Sequence, residues 1–415
     1  MEAYREPPGV STSMTAHDLD FRPSLRAGVE AYATDDPGRV VLIDTSRVVP
    51  GGVVLPEADA RLRELFTGMF TLGELIAAFA ETPDGVPEAV LRRAVAAFDR
   101  GLLLESDAFF EYVEGRDRRP SCVGAYPGDP ALIPAALDGL FTLPDGPGRP
   151  GPSRDAGRLR ALLVPHMDYA RGNVTYAHGY KELAERCRAK VFVIVATSHY
   201  SGHRFTLTRK DFTTPLGTVP TDQAAIDRLV ADYGPGLFDD PTAHLPEHSI
   251  ELEVLWLQHL FGDRGFTIVP LLVGSFHDAT HDGVSPAAKP DIARMVAALQ
   301  KLDEWLGDDG CFIISGDLAH IGPKFRDPDP VSPGQLAACK VQDERLLATF
   351  ATPDPDAYAA IVRGEQNARR VCGFPPTWLT LTALRPTRGR ALHYQQYVEP
   401  GGHESVSFAA AVFED

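Results

Sequence analysis

Four histidines and one cysteine carry the strongest chemical signal in the chain: His166, His199, His248, His320 and Cys372, with Asp317, Glu247 and Tyr200 close by in sequence. Imidazole is a good ligand for Fe, Cu and Zn, and a thiolate adds soft donation. Leu162-Leu163-Val164 ends in Pro165-His166, and Val191 to Ala196 runs into Thr197-Ser198-His199. Cys311 to Ile314 likewise runs into Ser315-Gly316-Asp317-Leu318-Ala319-His320. Continuous apolar runs of this kind fit strands covered on both faces, and ligands in open α/β sheets collect at the carboxyl ends of such strands. Glu247-His248-Ser249-Ile250-Glu251 opens a helix after Pro246, and Cys372-Gly373-Phe374-Pro375-Pro376 sets a cysteine just before one. A thiol at a helix N-terminus has a lowered pKa and suits a metal-bound or reactive thiolate. Each residue also has a plainer reading. A lone cysteine is most often a small buried hydrophobe, His199 can satisfy a loop carbonyl, and Asp317 can be a cap. Spacing alone leaves both readings open, and three such strand endings in one chain favour a site.

The elements that must position these residues follow an α/β rhythm from about residue 160. Strands are expected at 160–164, 191–196, 205–208, 267–273 and 311–315. Helices are expected at 174–187, 222–232, 250–261, 290–306 and 334–350, and two further strands at 391–397 and 405–413. Thr142 to Asp155 is rich in Gly and Pro and reads as an exposed loop.

Composition bounds the function. The 415 residues allow two or three domains with real cores. A formal net charge of -17, with no lysine before Lys181, argues against nucleic acid as a partner. The five scattered cysteines show no paired spacing, which speaks against a disulfide framework and for a reducing, cytoplasmic setting. Met1 to Asp20 does not read as a signal peptide, and no run reaches 18 apolar residues, so no membrane association is expected. No repeat, P-loop or G-x-G-x-x-G occurs.

Residues 1 to about 25 read as a polar, mobile arm. Beyond it, Val40 to Asp44 reads as a strand and Val48 to Leu55 as a hairpin around Pro50-Gly51-Gly52. Helices follow over 56–66, 72–79 and 87–100, the second opened by Thr71 and Glu74 as a capping box. Gly101 to Leu104 reads as a helix stop and short strand, and Phe66, Met69 and Phe70 as exposed apolar residues. Small strands around three short helices make a winged-helix-like α+β module, and Asp44 to Leu104 loosely resembles the PqqD-type peptide-binding family. That resemblance implies a peptide or protein ligand bound by strand addition. Residues 1–115 hold 20 Asp and Glu against 10 Arg, too acidic a balance for DNA. The charged stretch Arg116 to Pro120 reads as the connector, giving domains over 1–115 and 116–415.

From about Arg119 to Phe413 the chain resembles the MEMO family, also described as protein B of the AmmeMemoRadiSam system, whose fold is that of class III extradiol dioxygenases. The motifs come in family order. Gly124 to Pro127 resembles Gly-x-Tyr/Phe-Tyr, Pro165-His166 resembles Pro-His-Ala-Gly-Tyr, and Thr197-Ser198-His199 resembles Pro-Ser-His. Glu247 to Glu251 matches Glu-His-Ser-Ile/Leu-Glu, and Ser315 to His320 resembles Ser-Ser-Asp-x-x-His. Arg370 to Gly373 resembles the Cys-Gly motif, and Val406 to Ala409 resembles Val-Ser-Tyr-Ala. The resemblance implies an α/β domain with His166, His199 and Cys372 as metal ligands and Asp317 and His320 in the same pocket. Two departures stand out. Met167-Asp168 replaces Ala-Gly after the first histidine, and Tyr200 replaces a second histidine, so Met167, Asp168, Tyr200 and Glu247 are expected to shape a substrate pocket.

The function implied is a non-haem metal oxidoreductase holding Fe(II), with Cu or Zn as variants, that acts on a small-molecule or peptide-borne substrate. His320, or less readily His248, would be a general base with a pKa near neutrality, oriented by Asp317. Cys372 replaces the carboxylate that closes the extradiol triad, which argues against catechol cleavage. The alternatives are a non-catalytic metal- or peptide-binding scaffold and a zinc-dependent hydrolase.

Overall fold

Along each central strand of the second half of the chain, odd and even residues enter two different cores. Ala161, Leu163, Val193, Val195, Phe312 and Ile314 pack into one, whereas Leu162, Val164, Phe192, Ile194 and Ile313 pack into the other. A strand with both faces covered cannot show polar alternation, which is why these stretches read as unbroken apolar runs. The computed structural model describes residues 18–82, 85–153 and 157–415. Of the arm expected over residues 1 to about 25, the part up to 17 lies outside the described residues, and the rest is no arm: Phe21 is buried, and Ser24 and Leu25 bridge to Thr67 and Leu104.

The chain divides into two compact units, Met1–Gly115 and Arg116–Asp415. In the second, an eight-stranded mixed sheet runs in the order 320–321, 405–414, 159–164, 310–315, 191–197, 267–273, 205–207, with 388–398 paired outside the path to 405–414. The four inner strands are mutually parallel, from Leu159–Val164 through Gly310–Ser315 and Val191–Thr197 to Thr267–Val273. Ser315 lies opposite both Val164 and Ala196, so three strands end level and release their loops at one rim. The fold class is α/β. Tyr169–Arg186 begins five residues before the expected helix, across a break at Asn173, whose φ of 24° is outside helical space. Three short helices, Asp107–Glu114, His277–His281 and Pro355–Gly364, escaped the sequence reading. Among the described residues no helix is long and apolar enough to cross a membrane.

The first unit pairs Val29–Ala33, Arg39–Asp44 and Gly52–Pro56 as an antiparallel sheet. The hairpin therefore joins the strands on either side of Val48-Val49, which sit in its turn rather than in an arm. The Asp44 carboxylate organises that turn, accepting from the peptide N–H of Ser46 and Val49 at 3.0 and 3.1 Å, and pairs with buried Arg26 at 2.8 Å. The capping box forms as expected, Thr71 Oγ1 accepting from Glu74 N–H and Glu74 from Thr71 N–H. Phe66 is not exposed. It lies edge-on against Phe98, 5.1 Å away, in a core with Leu42, Leu72 and Leu91. Met69 and Phe70 are exposed.

Candidate metal centre

His166 leaves its strand with its ring buried and meets two other loops at once. Its peptide N–H donates to Asp317 Oδ1 at 3.1 Å, and its Nε2 lies 3.4 Å from Cys372 Sγ and 3.5 Å from Asp317 Oδ2. Two glycines permit this approach. A Cβ on Gly316 would stand 2.5 Å from Gly373 Cα, and one on Gly373 would stand 2.6 Å from the Asp317 carbonyl. Backbone thus packs on backbone, the Gly373 N–H donates to that carbonyl at 2.8 Å, and Thr197 Oγ1 donates to the Cys372 carbonyl at 3.0 Å. The turn that carries the thiol is held from two sides.

On the opposite side Glu247 begins the helix His248–Phe261 and holds His199. Its carboxylate accepts from the peptide N–H groups of His199, His248 and Ser249 and lies 2.9 Å from His199 Nδ1. The His199 and His248 rings stack with centroids 4.8 Å apart, and both stand edge-on to His166, at 5.0 and 5.4 Å. Two donor sets sharing His166 emerge, His166/His199/His248 and His166/Asp317/Cys372, each with ligand atoms within 4.8 Å of one another. The expected trio of His166, His199 and Cys372 spans both.

The charges suit a cation. Burial opposes charge on His199, but Glu247 and Cys372 outweigh it and hold the imidazole well above its usual range. Burial and then the neighbouring His199 and His248 push His166 far down, keeping it neutral. Burial drives Asp317 up to about 7, against the hydrogen bond from His166. Its Oδ2 is buried and accepts no hydrogen bond among the described residues. An unpaired buried carboxylate oxygen beside an imidazole and a thiol is costly, and the positive charge held on nearby His199 offsets that cost only in part, since Asp317 still ends well above the usual carboxylate range. Imidazole and thiol donors favour a borderline or soft metal over Mg or Ca. The residues present therefore fit a metal ion.

Several expectations change at this point. Helix position does not lower the Cys372 thiol. Burial raises it, against the pull of His199. His320 is not near neutrality: burial and then His199 push it down to about 4. Nor does Asp317 orient it. The carbonyls of Leu318 and Arg370 lie 3.2 and 3.1 Å from His320 Nδ1, which must carry the hydrogen and leaves Nε2 as the acceptor nitrogen. Asp168 caps the helix Tyr169–Arg186 and pairs with Arg171. Met167 packs against Val406 and Phe408, and Glu247 is spent on His199 and the helix start. Tyr200 is exposed, its ring 6.2 Å from His199. None of these four lines the 320 Å³ cavity beside the cluster, whose walls include His199, Cys372, Phe276, Phe374, Arg370 and His277. His248, read from sequence as a second choice of base, sits among the donors instead. Ser315 and Glu253, both buried below His166, were missed. The sequence signal was a pair of glutamates, Glu251 and Glu253, inside the otherwise apolar stretch Ile250 to Leu257.

Comparison with known proteins finds relatives over the unit that holds this cluster. The family described as Memo-like protein matches residues 118–412. A MEMO1 family protein of Methanopyrus kandleri is 28% identical over 307 residues, covering 72% of this chain and 99% of that protein. A MEMO1 family protein of Caldivirga maquilingensis is 35% identical over 261 residues, 61% of this chain and 82% of that protein. The protein memo-1 homolog of Caenorhabditis elegans is 27% identical over 272 residues, 62% and 73% of the two chains.

Proposed function

The chain belongs to the Memo-like protein family, and on that premise we propose that it is a mononuclear metal oxidoreductase related to the extradiol dioxygenases, with iron as its metal and copper as the variant. The observation that carries this reading is the 3.4 Å approach of Cys372 Sγ to His166 Nε2 beside the unpaired Asp317 Oδ2. His166, His199 and Cys372 would hold the ion, with His248 at hand as a further donor. A bound redox metal would supply electron transfer and a site for a small oxidant, with thiolate donation tuning its potential.

The chain's own groups do the rest. Glu247 fixes the ring of His199, and Asp317, near neutrality in its titration, can hold or release a proton beside His166. His320 stays neutral at pH 7, and with Nδ1–H held by two carbonyls its Nε2 is the acceptor nitrogen, a weak base that would take a hydrogen bond from a bound substrate and receive its proton only as the substrate is made more acidic. Phe276 and Phe374 give the cavity an apolar wall on the Cys372 side, against which an apolar part of a substrate would pack.

Protein purified without oxygen is expected to retain close to stoichiometric iron, and His320→Ala to keep that iron while losing on the order of 100-fold or more in turnover or ligand-dependent spectral change. Metal analysis and absorption spectroscopy check both. Stoichiometric zinc under aerobic and anaerobic conditions alike would replace this reading with hydrolysis or a structural site, and loss of iron in H320A would end the role given to His320.

For residues 40–105 we infer a peptide-recognition module of the PqqD-like, winged-helix type. Support comes from the three-stranded sheet, whose outer strands each pair on one side only among the described residues, and from the acidic composition. Main-chain pairing would supply affinity, and the acidic surface would favour a basic peptide. A labelled basic peptide should bind the full chain, more weakly as salt rises, and not a chain starting at Arg116. Equal anisotropy changes with both proteins, or none with either, would sink the idea.

A further inference from the structure

We propose that Glu253 is a positioning residue for the metal site, acting through Ser315 to fix which ring nitrogen of His166 faces the ion. The inference rests on the reading of His166 as a ligand and goes beyond it, to a carboxyl that touches neither ion nor substrate.

Glu253 is fully buried on the helix His248–Phe261. Tyr180 Oη donates to its Oε2 at 2.6 Å, and its Oε1 lies 3.1 Å from Ser315 Oγ. Both partners are neutral. An anion buried with only neutral partners costs several kcal/mol, which keeping the proton avoids. Burial accordingly pushes this carboxyl well above the usual range, against the bonds from Tyr180 and Ser315.

Hydrogen counting then orders the chain. Ser315 has one hydroxyl hydrogen and two strong acceptors near it, the Ser249 carbonyl at 2.6 Å and Glu253 Oε1. The shorter bond takes the hydrogen. The contact with Glu253 must then run the other way, the carboxylic O–H donating to Ser315 Oγ. That leaves Ser315 with an acceptor lone pair and no hydrogen for His166 Nδ1, 3.5 Å away. Nδ1 must carry its own hydrogen to use that contact, and Nε2 is left with the lone pair, on the side of Cys372 Sγ and Asp317 Oδ2. The competing tautomer would place the hydrogen on Nε2, toward Asp317, and close the nitrogen to a metal. Ligating histidines are commonly oriented in this manner by a partner on the other nitrogen, and removal of such partners lowers metal affinity 10–100-fold.

The test uses the full metal-free chain with ¹⁵N-labelled histidine, read by ring nitrogen shifts, together with Co(II) titration. Wild type and Glu253→Gln are expected to show His166 hydrogenated at Nδ1, because the glutamine amide N–H can donate to Ser315 while its oxygen accepts from Tyr180. Glu253→Met and Ser315→Ala are expected to move the hydrogen toward Nε2 and to weaken Co(II) binding about tenfold or more. If E253M does not fold, S315A and E253Q carry the test. An unchanged His166 tautomer in E253M or S315A overturns the proposal, as does an E253Q protein with a shifted tautomer. A tautomer shift in a protein whose wild type binds no Co(II) would overturn the metal reading and leave the role of Glu253 standing.

Discussion

The Cys372→Ser protein is expected to fold like its parent and to bind Fe(II) or Co(II) on the order of 100-fold or more weakly. Serine is nearly isosteric, and the turn that presents the side chain is held by main-chain groups, Gly373 N–H to the Asp317 carbonyl and Thr197 Oγ1 to the Cys372 carbonyl. Stability should therefore change by only about 1 kcal/mol. The donor changes far more. A thiol can ionise and give soft donation to a metal, whereas an alcohol at the same place keeps its proton and offers a weak, hard oxygen. His166→Ala should lose the metal at least as completely, since His166 alone belongs to both donor sets. Anaerobic titration with far-UV circular dichroism on the same samples separates lost affinity from lost fold. Undiminished affinity in C372S would return Cys372 to a packing role and leave the three histidines as the donors. Peroxide treatment of the wild type should reproduce the C372S loss, because a sulfinate is no longer a thiolate donor.

The site was legible in the sequence as far as strand ends make it so. Apolar runs long enough to be covered on both faces terminate at Val164, Thr197 and Ser315, and the parallel register brings those ends level. The strand-to-loop transitions therefore announced His166, His199 and Asp317 directly. Features set by tertiary packing were not legible. Nothing local marks Gly316 and Gly373 as partners 57 residues apart in sequence, yet their backbone contact lets the Cys372 turn approach Asp317. Asp168 was expected in the substrate pocket because it follows a ligand candidate. The helix that begins at Tyr169 takes it as a cap instead, and the break at Asn173 hid that beginning. Burial also overrode local electrostatics. The helix start should have acidified Cys372 and a neighbouring carboxylate should have raised His320, but desolvation governs both. Phe66 was misplaced for a similar reason, since only the fold shows that Phe98 covers it.

The Glu251→Gln protein is expected to lose about 3–5 kcal/mol of stability at pH 7, the usual cost of breaking a buried ion pair by removing one partner. Glu251 and Arg118 are both fully buried and paired to each other. Arg118 also donates through Nε to the His244 carbonyl at 3.0 Å and through Nη2 to the Glu247 carbonyl. The Glu251 carboxylate in turn accepts from Ser121 N–H at 2.8 Å, Cys122 N–H at 3.4 Å and the Tyr126 hydroxyl. The pair thus ties the segment 118–126 to the start of the helix that places Glu247 and His248, and glutamine would leave the arginine charge uncompensated. Burial alone would raise the Glu251 carboxyl, but Arg118 and then Tyr126 bring it down to about 2. Against an unfolded value of about 4.3 that shift is worth about 3 kcal/mol. A folded pKa below the unfolded one means the stabilisation is complete above the unfolded value and is lost as pH falls through the folded one. The wild type should therefore lose this contribution between about pH 5 and pH 2, and the gap to E251Q should narrow over that window. All three tryptophans, Trp256, Trp305 and Trp378, lie beyond Arg116, so their fluorescence in urea reports the unit that holds the pair. A gap below about 1 kcal/mol at pH 7, or one that stays constant down to pH 3, would show that the hydrogen bonds carry the segment without the charge.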